Sequence, residues 1–247
     1  QRQVQTVMTT LSLHQQQLVN NSTKLIQSAF ERHPAESIAI SFSGAEDVIL
    51  IDLMSQLGQH CEVFSLDTGR LHPQTYSFIE TVRDHYNLPI KVVMPDPNDV
   101  AELVQQKGLF SFRNDGHEEC CGARKIKPLR SKLAQLDAWI TGQRIDQSVT
   151  RTELAEVHID SVFTGRNGDL EKFNPLANWR SADVWDYIRA RHVPFNPLHE
   201  QGFISIGCEP CTRAVAPHEH ERAGRWWWES ATHKECGLHR QNLIAQG

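Results

Sequence analysis

No stretch of this 247-residue chain holds the roughly 18 consecutive apolar residues that a membrane-spanning helix needs. The N-terminus also lacks the charged, then apolar, then small-residue order of a secretory signal. A cytoplasmic setting is therefore expected, where close-set cysteines act as metal ligands or redox groups rather than as a disulfide framework. Positive charge is in short supply. Lys and Arg number 25 against 30 Asp and Glu, a net charge of -5, which argues against generic nucleic-acid binding. There is no G-x-x-x-x-G-K-[ST] phosphate loop and no H-E-x-x-H. None of the 13 histidines is taken as a metal ligand, and no internal repeat is found. What remains is an ordinary globular composition, 39% hydrophobic, on a chain long enough to bury a good core.

Cysteine carries the clearest signal. Four of the six cysteines fall into two tight pairs, Cys120-Cys121 and Cys208-Glu209-Pro210-Cys211. Cys61 sits in an apolar run and reads as core. Cys236 stands alone in Lys234-Glu235-Cys236-Gly237-Leu238-His239. This division points to a four-thiolate metal site and one reactive thiol. Adjacent residues have Cα atoms only about 3.8 Å apart with diverging side chains, so placing both on one tetrahedral zinc strains the backbone. One of the two C-x-x-C pairs of the usual zinc signature is also missing. A cubane iron–sulfur cluster offers each thiolate its own iron and is the preferred reading. A zinc site, or free or disulfide-bonded thiols, are the alternatives. Cys236 has His233, Lys234 and His239 beside it to favour the thiolate, the form that attacks. Otherwise it is a surface thiol in a tail.

Apolar periodicity predicts a helix over about 14–32, ended by Pro34. Strands are expected at Ser37–Phe42, Val63–Leu66, Ile90–Met94 and Ala138–Thr141. Helices are expected through Val48–Leu57 and from about Pro73, and one capped by Ser181 carries Val184, Trp185 and Ile188. Alternating strands and helices imply an α/β fold, a parallel sheet with mixed edges flanked by helices. Ligands then bind beyond the carboxyl ends of the strands, where the loops 43–47, 67–70 and 141–151 lie. Residues 1–215 read as one nucleotide- and cluster-binding domain, and 216–247 as a mobile, lid-like tail.

Ser43, Gly44 and Asp47 belong to a strand-to-helix loop suited to an anion. The loop is similar to the S-G-G-x-D-S loop of PP-loop adenine-nucleotide proteins, but with Ala45 and Val48 replacing Gly and Ser and an added Glu46. Those changes weaken a triphosphate cradle, so adenylate binding is expected rather than ATP cleavage. Asp67, Thr68 and Gly69 end the second strand and either contact the base or sugar or form a capped turn. Lys125, Arg144, Arg151, Arg222 and Arg225 are the candidate cations for a sulfate or phosphate. Any one of them taken alone is more often a solvated surface charge; their positions beside the other motifs carry the reading.

In order along the chain, SFSGAED (41–47), LDTGRL (66–71), CCGARKIKPL (120–129), WITGQRIDQSVTR (139–151), KFNPL (172–176), FNPLHEQGFISIGCEPCT (195–212) and KECGLH (234–239) resemble the thioredoxin-dependent assimilatory adenylyl-sulfate reductases. The resemblance implies a PP-loop-type fold and adenosine 5′-phosphosulfate as substrate. It also implies a [4Fe-4S] cluster on Cys120, Cys121, Cys208 and Cys211. Cys236 would be the nucleophile that carries an S-sulfocysteine, with Lys125 and His239 in catalytic roles. Thioredoxin or a glutaredoxin-like dithiol would release sulfite, and the enzyme would be a homo-oligomer. The rival readings are a reductase of the 3′-phosphorylated substrate, an ATP-using adenylating enzyme, and a nucleotide-binding module with a structural four-cysteine zinc.

Overall fold

The computed structural model describes residues 11–147 and 154–229. Helix α1 (Leu13–Arg32) begins at a reciprocal cap, in which Ser12 and Gln15 side chains each accept the other's backbone N–H. There follow β1 (Ile38–Ser41), α2 (Ala45–Gln56), β2 (Glu62–Leu66), α3 (Pro73–Tyr86), β3 (Ile90–Val93) and α4 (Pro97–Lys107). Two short helices, α5 (Ser111–Asn114) and α6 (Glu118–Cys121), lead through a wide π turn, Gly122–Ile126, into α7 (Lys127–Leu133). The rest is β4 (Ala138–Ile140), β5 (Val157–Ile159), β6 (Glu171–Phe173) and α8 (Ser181–Arg191).

The sheet order is β3-β2-β1-β4-β6-β5, parallel except for the antiparallel β5–β6 edge. Side-chain alternation along each strand divides the core into two layers. Ile38, Ile40, Ala138, Ile140 and Phe173 pack with α1, α2 and α8. Ala39, Phe64 and Trp139 face the other way, onto Leu129 and Leu133 of α7. From β1 the chain runs outward to β2 on one side and later returns to β4 on the other. The crevice beyond the carboxyl ends of β1 and β4 is thus the switch point at which ligands bind such sheets.

The first four strands and α1 lie within a residue or two of their expected bounds. Two details differ. Ser181 is the first residue of α8 rather than its cap, and the carboxylate of Asp183 instead accepts the Arg180 N–H at 2.9 Å. Strands β5 and β6 were not foreseen. Glu171-Lys172-Phe173 looks too charged for a buried strand. Each charge is matched from far along the chain: Glu171 by Arg32 and His33, Lys172 by Asp160 at 3.6 Å and by the Trp139 ring at 4.7 Å. Paired charges can be buried where lone ones cannot.

Candidate active site

An open cleft of about 1690 Å³ crosses the carboxyl edge of the sheet. Its floor is the β1–α2 loop. Both oxygens of Asp47 turn back onto that loop and its neighbour. One accepts the Ser43 N–H at 2.8 Å, the Gly44 N–H at 3.0 Å and the Ser43 hydroxyl at 3.1 Å, and the other accepts the Gly142 N–H at 3.1 Å. Asp47 therefore ties β1, α2 and the loop after β4 together. Gly142 is required there, because a Cβ would lie 2.5 Å from Asp47 Oδ1 and 2.7 Å from Glu46 Cβ. The Gly142→Ala variant is expected to lose about 2–3 kcal/mol of stability in denaturant unfolding, since neither contact is the far end of a flexible chain.

Burial pushes the Asp47 carboxyl up to about 6, with Glu46 adding to the effect and the Ser43 and Gly44 hydrogen bonds opposing it. The folded protein thus holds this proton more tightly than the unfolded chain. Its contribution to stability is complete below 3.8 and fades as pH rises through about 6. Unfolding free energies across that window should decline more steeply for the wild type than for Asp47→Asn. Parallel curves would contradict this assignment.

Arg144 is buried at 2% exposure. Its guanidinium donates to Glu46 Oε1 at 3.0 and 2.9 Å and to both Glu221 oxygens at 3.3 Å. Glu46, which looked like a foreign charge in the loop, is neutralised in this way. The triad also fastens the 216–229 segment to the cleft.

The second half of the site is a small hollow lined by Cys120, Cys121, Cys208 and Cys211, with Phe112, His117 and Trp226 around them. The π turn starts directly after Cys121, where the Lys127 N–H bonds to the Gly122 carbonyl five residues back. Such turns recur at functional sites because the extra residue redirects side chains. Here Lys125 becomes the one described residue lining both the cysteine hollow and the cleft. The Thr68 hydroxyl lies 3.1 Å from Cys208 Sγ. Burial disfavours the Cys208 thiolate, but Lys125, that hydroxyl, Arg225 and Arg124 outweigh it and hold the thiol below its usual range. Burial pushes Cys211 up to about 12, helped by Cys208, and raises Cys120. None of the five described cysteines forms a disulfide. Among the described residues, the ligand-type atoms lying within 4.8 Å of one another in threes belong to His117, Glu118 and Glu229, and no cysteine trio is that close.

Ser43, Gly44, Thr68, Arg144, Arg222 and Arg225 line the cleft, although Arg144 is shared by two carboxylates rather than left for a substrate anion. Arg225 stacks on Trp226 at 4.5 Å. Asp67 and Gly69 do not line it. Asp67 accepts the Gly69 N–H and the Tyr76 hydroxyl, each at 2.8 Å, as the cap of a turn. Arg151, Cys236 and His239 lie outside the described residues. Residues 216–229, expected to belong to a mobile tail, are built into the body. Trp226 N–H bonds to the Cys211 carbonyl at 3.1 Å, and Thr212 bridges Arg225. Glu229 accepts the His117 backbone N–H at 3.0 Å and contacts its ring at 2.6 Å. The sequence reading missed Trp226, His117, Gln143 and His199. Gln143, in the loop after β4, and His199, in a short helical turn after α8, stood in motifs already noted, and their polarity was the available signal.

Residues 37–214 match the phosphoadenosine phosphosulfate reductase domain family. The adenosine 5′-phosphosulfate reductase of Pseudomonas aeruginosa is 58% identical over 90% of this chain and 83% of its own length. The 5′-adenylylsulfate reductase 1, chloroplastic, of Arabidopsis thaliana is 54% identical over 89% of this chain and 48% of its own, so the chain spans about half of that relative. Among solved structures, the phosphoadenylyl-sulfate reductase of Candida auris in a phosphate complex superposes with a TM-score of 0.64 at 22% identity, covering 84% of this chain and 99% of that one. The FMN adenylyltransferase of Candida glabrata with FAD and inorganic pyrophosphate has a TM-score of 0.60 at 15% identity, covering 97% and 85%. Both share the fold. Among the described residues, no helix is long and apolar enough to cross a membrane.

Proposed function

Because the chain belongs to the phosphoadenosine phosphosulfate reductase domain family, we propose that it reduces adenosine 5′-phosphosulfate to sulfite and AMP, the substrate in the printed name of its 58%-identical relative. The observation that carries this reading is Lys125, shared between the four-cysteine hollow and the nucleotide cleft. It sets a cation where the phosphosulfate end would meet the cysteine hollow.

The four cysteines fit a [4Fe-4S] cluster better than zinc. Tetrahedral zinc at about 2.3 Å per sulfur draws its thiolates to about 3.8 Å of one another, whereas no three of these sulfurs lie within 4.8 Å. Cys120, Cys121, Cys208 and Cys211 would each hold one iron. Bound there, the cluster supplies a fixed cysteine frame and local charge. Arg70, Arg124 and Lys125 around the hollow suit an anionic cofactor.

The steps belong to this chain's own residues. Lys125, Arg222 and Arg225 hold the phosphosulfate and balance the charge that grows on the leaving phosphate. The Cys236 thiolate attacks the sulfur, the S–O bond to AMP breaks, and S-sulfocysteine forms. His239, three residues on in the sequence, would favour the thiolate. One thiolate of thioredoxin or a glutaredoxin-like dithiol then attacks Cys236 Sγ and expels sulfite, and its second thiol resolves the mixed disulfide. The dithiol is oxidised and the sulfate sulfur reduced by two electrons. Such chemistry needs a compartment that maintains thiols, and the cytoplasm does so. The Ser43 and Gly44 amides are already taken by Asp47, which speaks against a triphosphate cradle and the ATP-using alternative.

Anaerobic turnover with thioredoxin tests the reading. Sulfite and AMP should form from adenosine 5′-phosphosulfate at least tenfold more efficiently than from its 3′-phosphorylated form. The reverse preference, or pyrophosphate release from ATP, would overturn it.

A further inference from the structure

We propose that His199 and Gln143 hold the nucleoside end of the substrate, with His199 presenting a bare Nε2 that selects a hydrogen-bond donor. That donor is a ribose hydroxyl or the adenine amino group, and a phosphate oxygen cannot replace it. The proposal rests on the adenosine 5′-phosphosulfate reading and deepens it.

The argument begins with a tautomer. His199 Nδ1 lies 2.8 Å from the Phe203 carbonyl oxygen. A carbonyl only accepts, so Nδ1 carries the proton, and in a neutral ring Nε2 is left as an acceptor. Burial lowers the pKa of this imidazole, against the nearby charge of Glu46, and so keeps it neutral at physiological pH. The Trp185 ring, edge-on at 4.9 Å, fixes its plane. Nε2 is buried and has no hydrogen-bond partner among the described residues, although His199 lines the cleft.

Gln143 shows the same anomaly twice. It is only 4% exposed, it lines the cleft, and both Nε2 and Oε1 are buried without a partner among the described residues. Leaving a buried donor or acceptor unpaired costs about 1–3 kcal/mol each, so such atoms call for an explanation. Three of them on the wall of one cleft are explained by a ligand rich in donors and acceptors.

The layers of the fold say which end of the ligand that is. Lys125 precedes α7 on one face of the sheet, the face of Ala39, Phe64 and Trp139. Trp185 of α8, against which His199 packs, belongs to the opposite face. A substrate with its phosphosulfate at Lys125 crosses the sheet edge and brings its nucleoside to His199. Glu46 and Glu221 flank Arg144 there and share its guanidinium between them, so among the described residues this cation is already matched by two carboxylates.

Calorimetric binding to the cluster-loaded enzyme tests this, with AMP, 2′-deoxy-AMP, 3′-deoxy-AMP and purine riboside 5′-monophosphate as probes. His199→Asn keeps the donor to Phe203 and deletes Nε2. It should weaken AMP about five- to tenfold. One of the three analogues should bind the wild type weaker by the same factor and lose nothing further in the variant. The analogue that does so identifies the hydroxyl or the amine. His199→Gln, whose amide oxygen can stand near Nε2, should recover part of the loss. Gln143→Leu should weaken AMP similarly while leaving the nucleotide-free melting temperature unchanged or raised, since it removes two unpaired buried atoms. Undiminished AMP affinity in His199→Asn, or an equal loss for AMP and all three analogues, would overturn the proposal. A wild type that binds no AMP would remove the nucleotide reading, and this proposal with it.

Discussion

Cys236→Ser is expected to make no measurable sulfite, a loss of more than about 10⁴-fold, because a serine hydroxyl at neutral pH is a far poorer nucleophile than a thiolate and no other group can carry the sulfonate. The same variant should retain its iron content and bind AMP as the wild type does. None of the four cysteines of the hollow and none of the described cleft residues is altered. That combination separates the nucleophile from the ligand set. Sulfite production surviving in Cys236→Ser would move the chemistry to the cysteines of the hollow. Loss of iron would instead make Cys236 a structural thiol. A radiolabelled sulfite assay with parallel iron analysis reads both.

Lys125→Met should lower kcat/KM by about 10²–10³-fold with a much smaller change in AMP affinity, since an electrostatic donor to developing charge acts mainly in the transition state. Methionine keeps the length of the stem, so the π turn and the packing at Gly122–Ile126 are not the variable. Arginine is not a conservative choice here, because its planar fork needs more room than an ammonium. Lys125 also helps hold the Cys208 thiol below its usual range, so on the proposed cluster reading the variant should also retain less iron. Steady-state kinetics at fixed iron occupancy separate the two effects. An unchanged kcat at full occupancy would assign Lys125 to the cysteine hollow alone.

The parts of this fold legible in the sequence are those in which local pattern and tertiary demand agree. Strand β1 is a continuous apolar run because both of its faces are covered. Helix α1 announces itself by periodicity and a capping box. The order of strand-end loops places the cleft before any coordinates do, and the cysteine pairs mark the second half of the site. What was hidden depends on partners distant in sequence. Glu171 and Lys172 form a buried strand only because Arg32, His33 and Asp160 arrive to pair with them. Arg144 looked like a substrate cation, and no local rule tells that Glu46 and Glu221 would share it. Asp47 looked like a ligand contact, yet its carboxylate organises the loop. Polar residues next to a binding loop can either face the ligand or hold the loop. Only the geometry of their hydrogen bonds decides between the two.

The claim on which the account depends is that a sulfonate passes covalently through Cys236. Intact-protein mass spectrometry after anaerobic incubation with adenosine 5′-phosphosulfate and no reductant tests it directly. The expected result is one added SO₃ per chain, mapped to Cys236 and discharged as sulfite when reduced thioredoxin is added. A fully iron-loaded protein that turns over with thioredoxin yet never carries the adduct would contradict it, because sulfite would then arise without the S-sulfocysteine.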